Sequence, residues 1–148
     1  EGLEIDTEEK GVKVAKALFA SKFSDRVGVG DKAVVAIFET VRVRPHKGKR
    51  AEVAVKIDSG AFSSSIDRAL AEELGLLRPE HILWEKKFKS ALGMQTREVI
   101  EVDFKLKGRR VKARASVTNR KGLRRRMIIG RRDLKDFLVD PAIVKIRK

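Results

Sequence analysis

Val55-Lys56-Ile57-Asp58-Ser59-Gly60-Ala61 is the stretch on which the reading of this chain turns. Val55 and Ile57 flank Lys56, so Ala51 to Ile57 reads as a half-buried strand. Asp58-Ser59-Gly60 then supplies turn chemistry, which by itself marks any number of ordinary turns. The residues after this turn are organised. Ser64-Ser65-Ile66-Asp67 has the spacing of a helix-capping box, and Ile66, Leu70 and Leu74 form a helical stripe that stops at Gly75. Far downstream, Met127-Ile128-Ile129 reads as a short buried strand, with a short helix from Gly130 to about Phe137.

Between these two stretches the pattern is mostly strand. His81 to Lys89 is a candidate strand, Ser90-Ala91-Leu92-Gly93-Met94 a hairpin tip, and Val102, Phe104 and Leu106 alternate with charges up to Lys107-Gly108. Val111, Ala113, Ala115 and Val117 return with a basic outer face. Trp84, between Leu83 and Glu85, reads as a core or interface residue. Lys32 to Arg44 reads as a further strand, Pro45 to Lys49 as a turn, and Ile143 to Arg147 as a closing strand. Residues 1–31 differ in character. Asp6-Thr7-Glu8-Glu9 has capping-box spacing, and Val12, Ala15, Phe19 and Phe23 recur near helical spacing before the turn-rich Val27 to Asp31. A helical extension or linker over 1–31 and one domain over 32–148 are expected.

Composition narrows the chemistry. With 42% hydrophobic and 38% charged residues, a single lean core is the natural reading of 148 residues. No apolar run approaches the length of a membrane span, and no signal-like leader opens the sequence, so no membrane partner is expected. The absence of cysteine removes disulfides, thiolate metal sites and cysteine nucleophiles, and fits a cytoplasmic location. A formal charge of +14 calls for an anionic partner (RNA, a ribosomal protein or an acidic polypeptide) or for a well-solvated surface. Arg120, Lys121, Arg124, Arg125 and Arg126 crowd just before Met127, while Arg109, Arg110, Lys112 and Arg114 form a second group. With no Tyr and one Trp, recognition of single strands by base stacking is disfavoured, but phosphate contacts are not.

An aspartic peptidase needs two carboxylates about 3 Å apart on one water, so that the pair shares a proton. Each must sit in a tight loop at a strand end, where a following Gly lets the backbone turn and donate its N–H closely. Asp58-Ser59-Gly60-Ala61, leading into Ser63 to Ile66 and Leu70 to Leu76, resembles the loop and helix of retropepsin-like aspartic peptidases. Ile128-Ile129-Gly130-Arg131 followed by Leu134 resembles the second signature of retroviral proteases. Within that group the motif order, with Gly93 to Arg97, Thr118-Asn119-Arg120 and Met127 to Asp140, is similar to the bacterial and archaeal family called ATP-dependent zinc proteases, over roughly residues 51–141. That family is often encoded beside ATP-grasp ligases that add glutamate to ribosomal proteins.

The resemblance implies a mainly β, closed retropepsin-like (acid protease) barrel with short helices. It implies Asp58 as the catalytic carboxylate, Ser59 as a brace to the opposing loop and Gly60 as the turn residue. Ala61, Leu92, Gly93, Met94 and Arg97 would be the substrate-facing loop and flap, with Ile128, Ile129, Gly130 and Arg131 packing behind the loop. Retroviral enzymes carry an acid four residues after the catalytic Asp, paired with the Arg after the second Gly. Phe62 stands there, which leaves Arg131 without that role. No second Asp-Ser/Thr-Gly occurs in the sequence, so a homodimer is expected to complete the site. Neither zinc nor ATP is expected: His46 and His81 are distant in sequence and read as surface or turn residues, with no His-Glu-x-x-His and no phosphate-binding Gly-rich loop. Two other readings stay open, an inactive module docking on RNA or the ribosome, and a scaffold lobe fused to an upstream ligase.

Overall fold

The computed structural model describes residues 29–91 and 93–144. The expected N-terminal helix lies outside them. So does most of the expected closing strand, whose described residues Ile143 and Val144 are not in a strand. Described in chain order, the elements are β1 (Ala33–Val35), β2 (Phe38–Val43), β3 (Ala51–Asp58), β4 (Ser64–Asp67), α1 (Arg68–Glu73), β5 (Ile82–Ser90), β6 (Gly93–Leu106), β7 (Arg109–Thr118), β8 (Met127–Gly130) and β9 (Phe137–Val139). Two compact units result. Of the described residues, one unit holds 29–34 and Asp136–Leu138, and the other holds Val35–Lys135 and 139–144. β1 and β9 form a two-stranded sheet, in which the Ala33 N–H donates to the Asp136 carbonyl at 3.1 Å.

The larger unit is mainly β. Its strands run β2-β3-β8-β4-β7-β6-β5, and β2 also pairs with β6, so six of them form a ring with β5 outside it. Strand alternation fills the ring. Val41 and Val43, then Val53, Val55 and Ile57, then Val102, Phe104 and Leu106 point inward and are buried. Ala113, Ala115 and Val117 of β7 and Met127 and Ile129 of β8 complete the core. Each large side chain so buried contributes about 2 kcal/mol.

Three expectations are corrected. The strand expected over Lys32 to Arg44 breaks at Ala36 and Ile37, because the buried Glu39 carboxylate takes the Ala36 N–H at 2.7 Å and bends the chain there. Ser64 to Asp67 is not a helix start but β4, parallel to β7 and antiparallel to β8. The capping residue is Asp67, whose side chain accepts from the Leu70 N–H, and the helix is the single turn and a half of α1. After Gly130 the chain makes only a 3-10 turn, Arg131–Asp133, before β9. The competing partners explain this, since the Arg131 and Arg132 N–H groups donate to the Ala61 and Phe62 carbonyls.

Candidate active site

Asp58 is the last residue of β3, in parallel register with Gly130 at the end of β8. Ile57 and Ile129 behind it are buried, which fixes the strand ends and leaves the Asp58 carboxylate half-buried at the rim. The Gly60 N–H donates to Asp58 Oδ1 at 3.0 Å, and the Ala61 N–H to the Asp58 carbonyl at 3.1 Å. A methyl group on Gly60 would stand 3.2 Å from that carboxylate oxygen. Ser59 is exposed, and its carbonyl accepts from Arg131 Nη1 at 3.3 Å.

The loop is held from below by residues after β8. Arg131 N–H reaches the Ala61 carbonyl at 2.8 Å and Arg132 N–H the Phe62 carbonyl at 3.0 Å. The fully buried Ser64 hydroxyl accepts from the Gly130 N–H at 3.0 Å and donates to Asp133 Oδ2 at 2.6 Å. Gly130 is there because no side chain fits: a Cβ would overlap the Ser63 carbonyl carbon. Ser64 and Asp133 escape a reading of the sequence. Each is an ordinary polar residue in its own neighbourhood, and only their meeting across 69 positions gives them a role.

Phe62 also acquires one. Its exposed ring lies 5.4 Å from the guanidinium carbons of both Arg131 and Arg132. A cation–π contact thus links Phe62 to Arg131 and Arg132. Phe62 and Ser63 then line a cleft of about 210 Å³ with Trp84, Lys86, Arg97, Val99, Arg114, Ser116 and Arg132. Four of these are cations and none is a carboxylate. Of the two expectations for Trp84, core is excluded: it is half-exposed there, with Arg114 5.7 Å from its ring.

The hairpin β5–β6 carries the other expected residues. Ser90 pairs with Gly93, whose φ of +114° suits a tight reversal. Gly93 and Met94 are exposed at its end, and Leu92 lies outside the described residues. Of the expected flap residues, Arg97 enters the cleft, and its guanidinium also donates to Gln95 Oε1 at 3.0 Å.

Behind the loop, Asp67 collects the Arg120 N–H at 2.7 Å and the Arg126 guanidinium at 3.2 Å. Burial pushes its carboxyl up, but these hydrogen bonds and that of the Leu70 N–H outweigh it, and the net direction is down. Of the basic cluster before Met127, the Arg126 side chain is therefore engaged in structure, and the Arg120 guanidinium donates to the Arg125 carbonyl at 3.0 Å. His46 and His81, distant in sequence, are brought together, Nδ1 to Nε2 at 3.0 Å. Among the described residues no group of three or more His, Cys, Asp or Glu forms. Two imidazoles facing one another fall short of the three or four protein ligands of a zinc site, so they do not fit that metal.

A scan against protein-family models finds no match. A search of curated proteins finds none either. Among solved structures, the chain is similar to the Simian Foamy Virus (mac) protease, at 20% identity and a TM-score of 0.49 over 65% of this chain and 89% of that one. It is similar to Lpg0085, a DUF785 protein of unknown function from Legionella pneumophila subsp. pneumophila str. Philadelphia 1, at 17% identity and 0.49 over 75% and 94%. A third is the retroviral protease-like domain of Ddi1 from Leishmania major, at 21% and 0.48 over 67% and 74%. Likenesses at this level carry no residue role or substrate over to this chain.

Proposed function

We propose that the chain is one lobe of a retropepsin-like aspartic peptidase, active as a two-fold homodimer with an Asp58 from each subunit. The observation that carries this reading is the Asp58 loop: a carboxylate at a strand end, held by its own Gly60 N–H and clamped by β8, in a sequence with one Asp-Ser/Thr-Gly. Two carboxylates facing across an axis share one proton. The ionised member takes a proton from water as its oxygen attacks the scissile carbonyl carbon, and the protonated member gives its proton to the carbonyl oxygen. Collapse of the tetrahedral intermediate breaks the C–N bond, a carboxyl proton passing to the departing amine. Ser59 would brace the partner loop, and the β5–β6 hairpin would close over the substrate.

An acidic peptide suits the cleft beside the loop, where Lys86, Arg97, Arg114 and Arg132 meet no carboxylate among the lining residues. Glutamate tails on a ribosomal protein are the instance suggested by the resemblance to the ATP-dependent zinc proteases, without zinc or ATP in the chemistry. The experiment is Asp58→Asn assayed on polyglutamate and on mixed-sequence peptides. Loss of at least a hundredfold in hydrolysis is expected, on the general scale of acid–base catalysis of roughly 10²–10⁴. Unchanged cleavage would remove Asp58 from the mechanism. Wild-type cleavage indifferent to salt and to acidic residues would remove the substrate class alone.

A further inference from the structure

We propose that the outer face of β2, β6 and β7 docks the phosphate backbone of a double-helical nucleic acid. The ring of strands closes where β2 meets β6, through the register pairs Arg42–Lys105 and Val43–Phe104. Lys105 in turn stands opposite Arg110 of β7. Three exposed cations therefore lie side by side across three strands. Like charges placed directly opposite one another destabilise a sheet; Arg42 has Glu52 of β3 on its other side, but Lys105, on the short seam that closes the ring, has a cation on both sides. Charge kept where it opposes folding points to a ligand.

The carboxylates of this face are engaged with other cations. Asp103 gathers Arg110 at 2.8 Å, Arg50 at 3.4 Å and Arg44 at 3.7 Å, and Glu101 lies 4.0 Å from Lys112. Arg42 and Lys105 have no side-chain ion pair among the described residues. A protein partner would want an apolar centre, whereas the exposed ring on these strands, Phe38 at the start of β2, lies at one end with the Arg125 guanidinium 4.6 Å from its centroid. Unpaired bases would want a series of aromatic platforms, and Phe38 is a single ring at one end of the face. Cations in a row across paired strands suit a duplex, which presents a phosphate charge about every 1.7 Å of its axis. Arg42, Lys105 and Arg110 do not line the cleft beside Phe62, so binding here is independent of hydrolysis at Asp58.

The test is fluorescence anisotropy of a short mixed-sequence RNA duplex, titrated with wild type and R42Q/K105Q at several salt concentrations. The double variant is expected to bind about tenfold more weakly, with the slope of log K against log salt shallower by about 2. Its melting temperature should stay close to that of wild type, because the repulsion in the row and the attraction between Arg42 and Glu52 are removed together. Should the double variant melt early, Lys105→Gln alone gives the same reading with half the change in slope. Unchanged affinity and slope in a folded variant would overturn the proposal. So would a wild type that leaves the duplex unbound, or one that binds polyglutamate through Arg42 and Lys105 in its place.

Discussion

Gly130 and Gly93 are both glycines near the candidate site, and the reasons for them differ. At Gly130 the Ser63 backbone fills the space a side chain would need, with its carbonyl oxygen 2.5 Å from an added Cβ. At Gly93 nothing lies within 4 Å, but φ is +114°. Gly130→Ala should therefore cost about 3 kcal/mol, because a backbone neighbour cannot step aside, while Gly93→Ala should cost about 1 kcal/mol through strain alone. Thermal melts of the two variants check the order. Asp58 and Gly130 are legible in the sequence because turn and strand chemistry is local and each announces itself within a few residues. The Ser64–Asp133 contact and the His46–His81 contact are not, since each joins residues that only the fold brings within 3.0 Å.

At the scale of elements, the sequence pattern merges β4 with α1. Ile66 fits a helical stripe with Leu70 and Leu74, yet it is a strand residue paired with Met127 and Val117. A short apolar spacing does not separate the two periods, and the tertiary partners decide. Asp67 sits at that junction, 2% exposed, holding β4, α1 and the 120–126 loop together. Its carboxyl titrates below its ordinary value of 3.8 in the folded chain. The carboxylate thus contributes stability that is fully present above that ordinary value and is lost as pH falls through the lower folded one. Asp67→Asn should cost about 2 kcal/mol at neutral pH. Denaturant unfolding of wild type and variant should show the gap closing as the pH is taken below 3.8. A gap that stays constant into acid would mean that Asp67 does not act through its charge. Asp103, lowered chiefly by its hydrogen bond from Arg110, shares the sign but on a more exposed patch.

For the whole molecule, the ring of strands presents two cationic regions with different settings. The cleft beside Phe62 adjoins the Asp58 loop, and the β2–β6–β7 face carries its charge on the seam. The +14 charge fits an anionic partner or a well-solvated surface and cannot divide itself between these regions, because charge density has no address until strands are in register. The peptidase reading adds a requirement that neither region meets by itself: a second Asp58. Mixing wild-type and Asp58→Asn subunits at constant total concentration, and following hydrolysis of an acidic peptide, tests this most directly. A dyad shared across a two-fold axis predicts a rate that falls as the square of the wild-type fraction, with pure Asp58→Asn inactive. A rate falling in simple proportion to the wild-type fraction would contradict a site built from two chains.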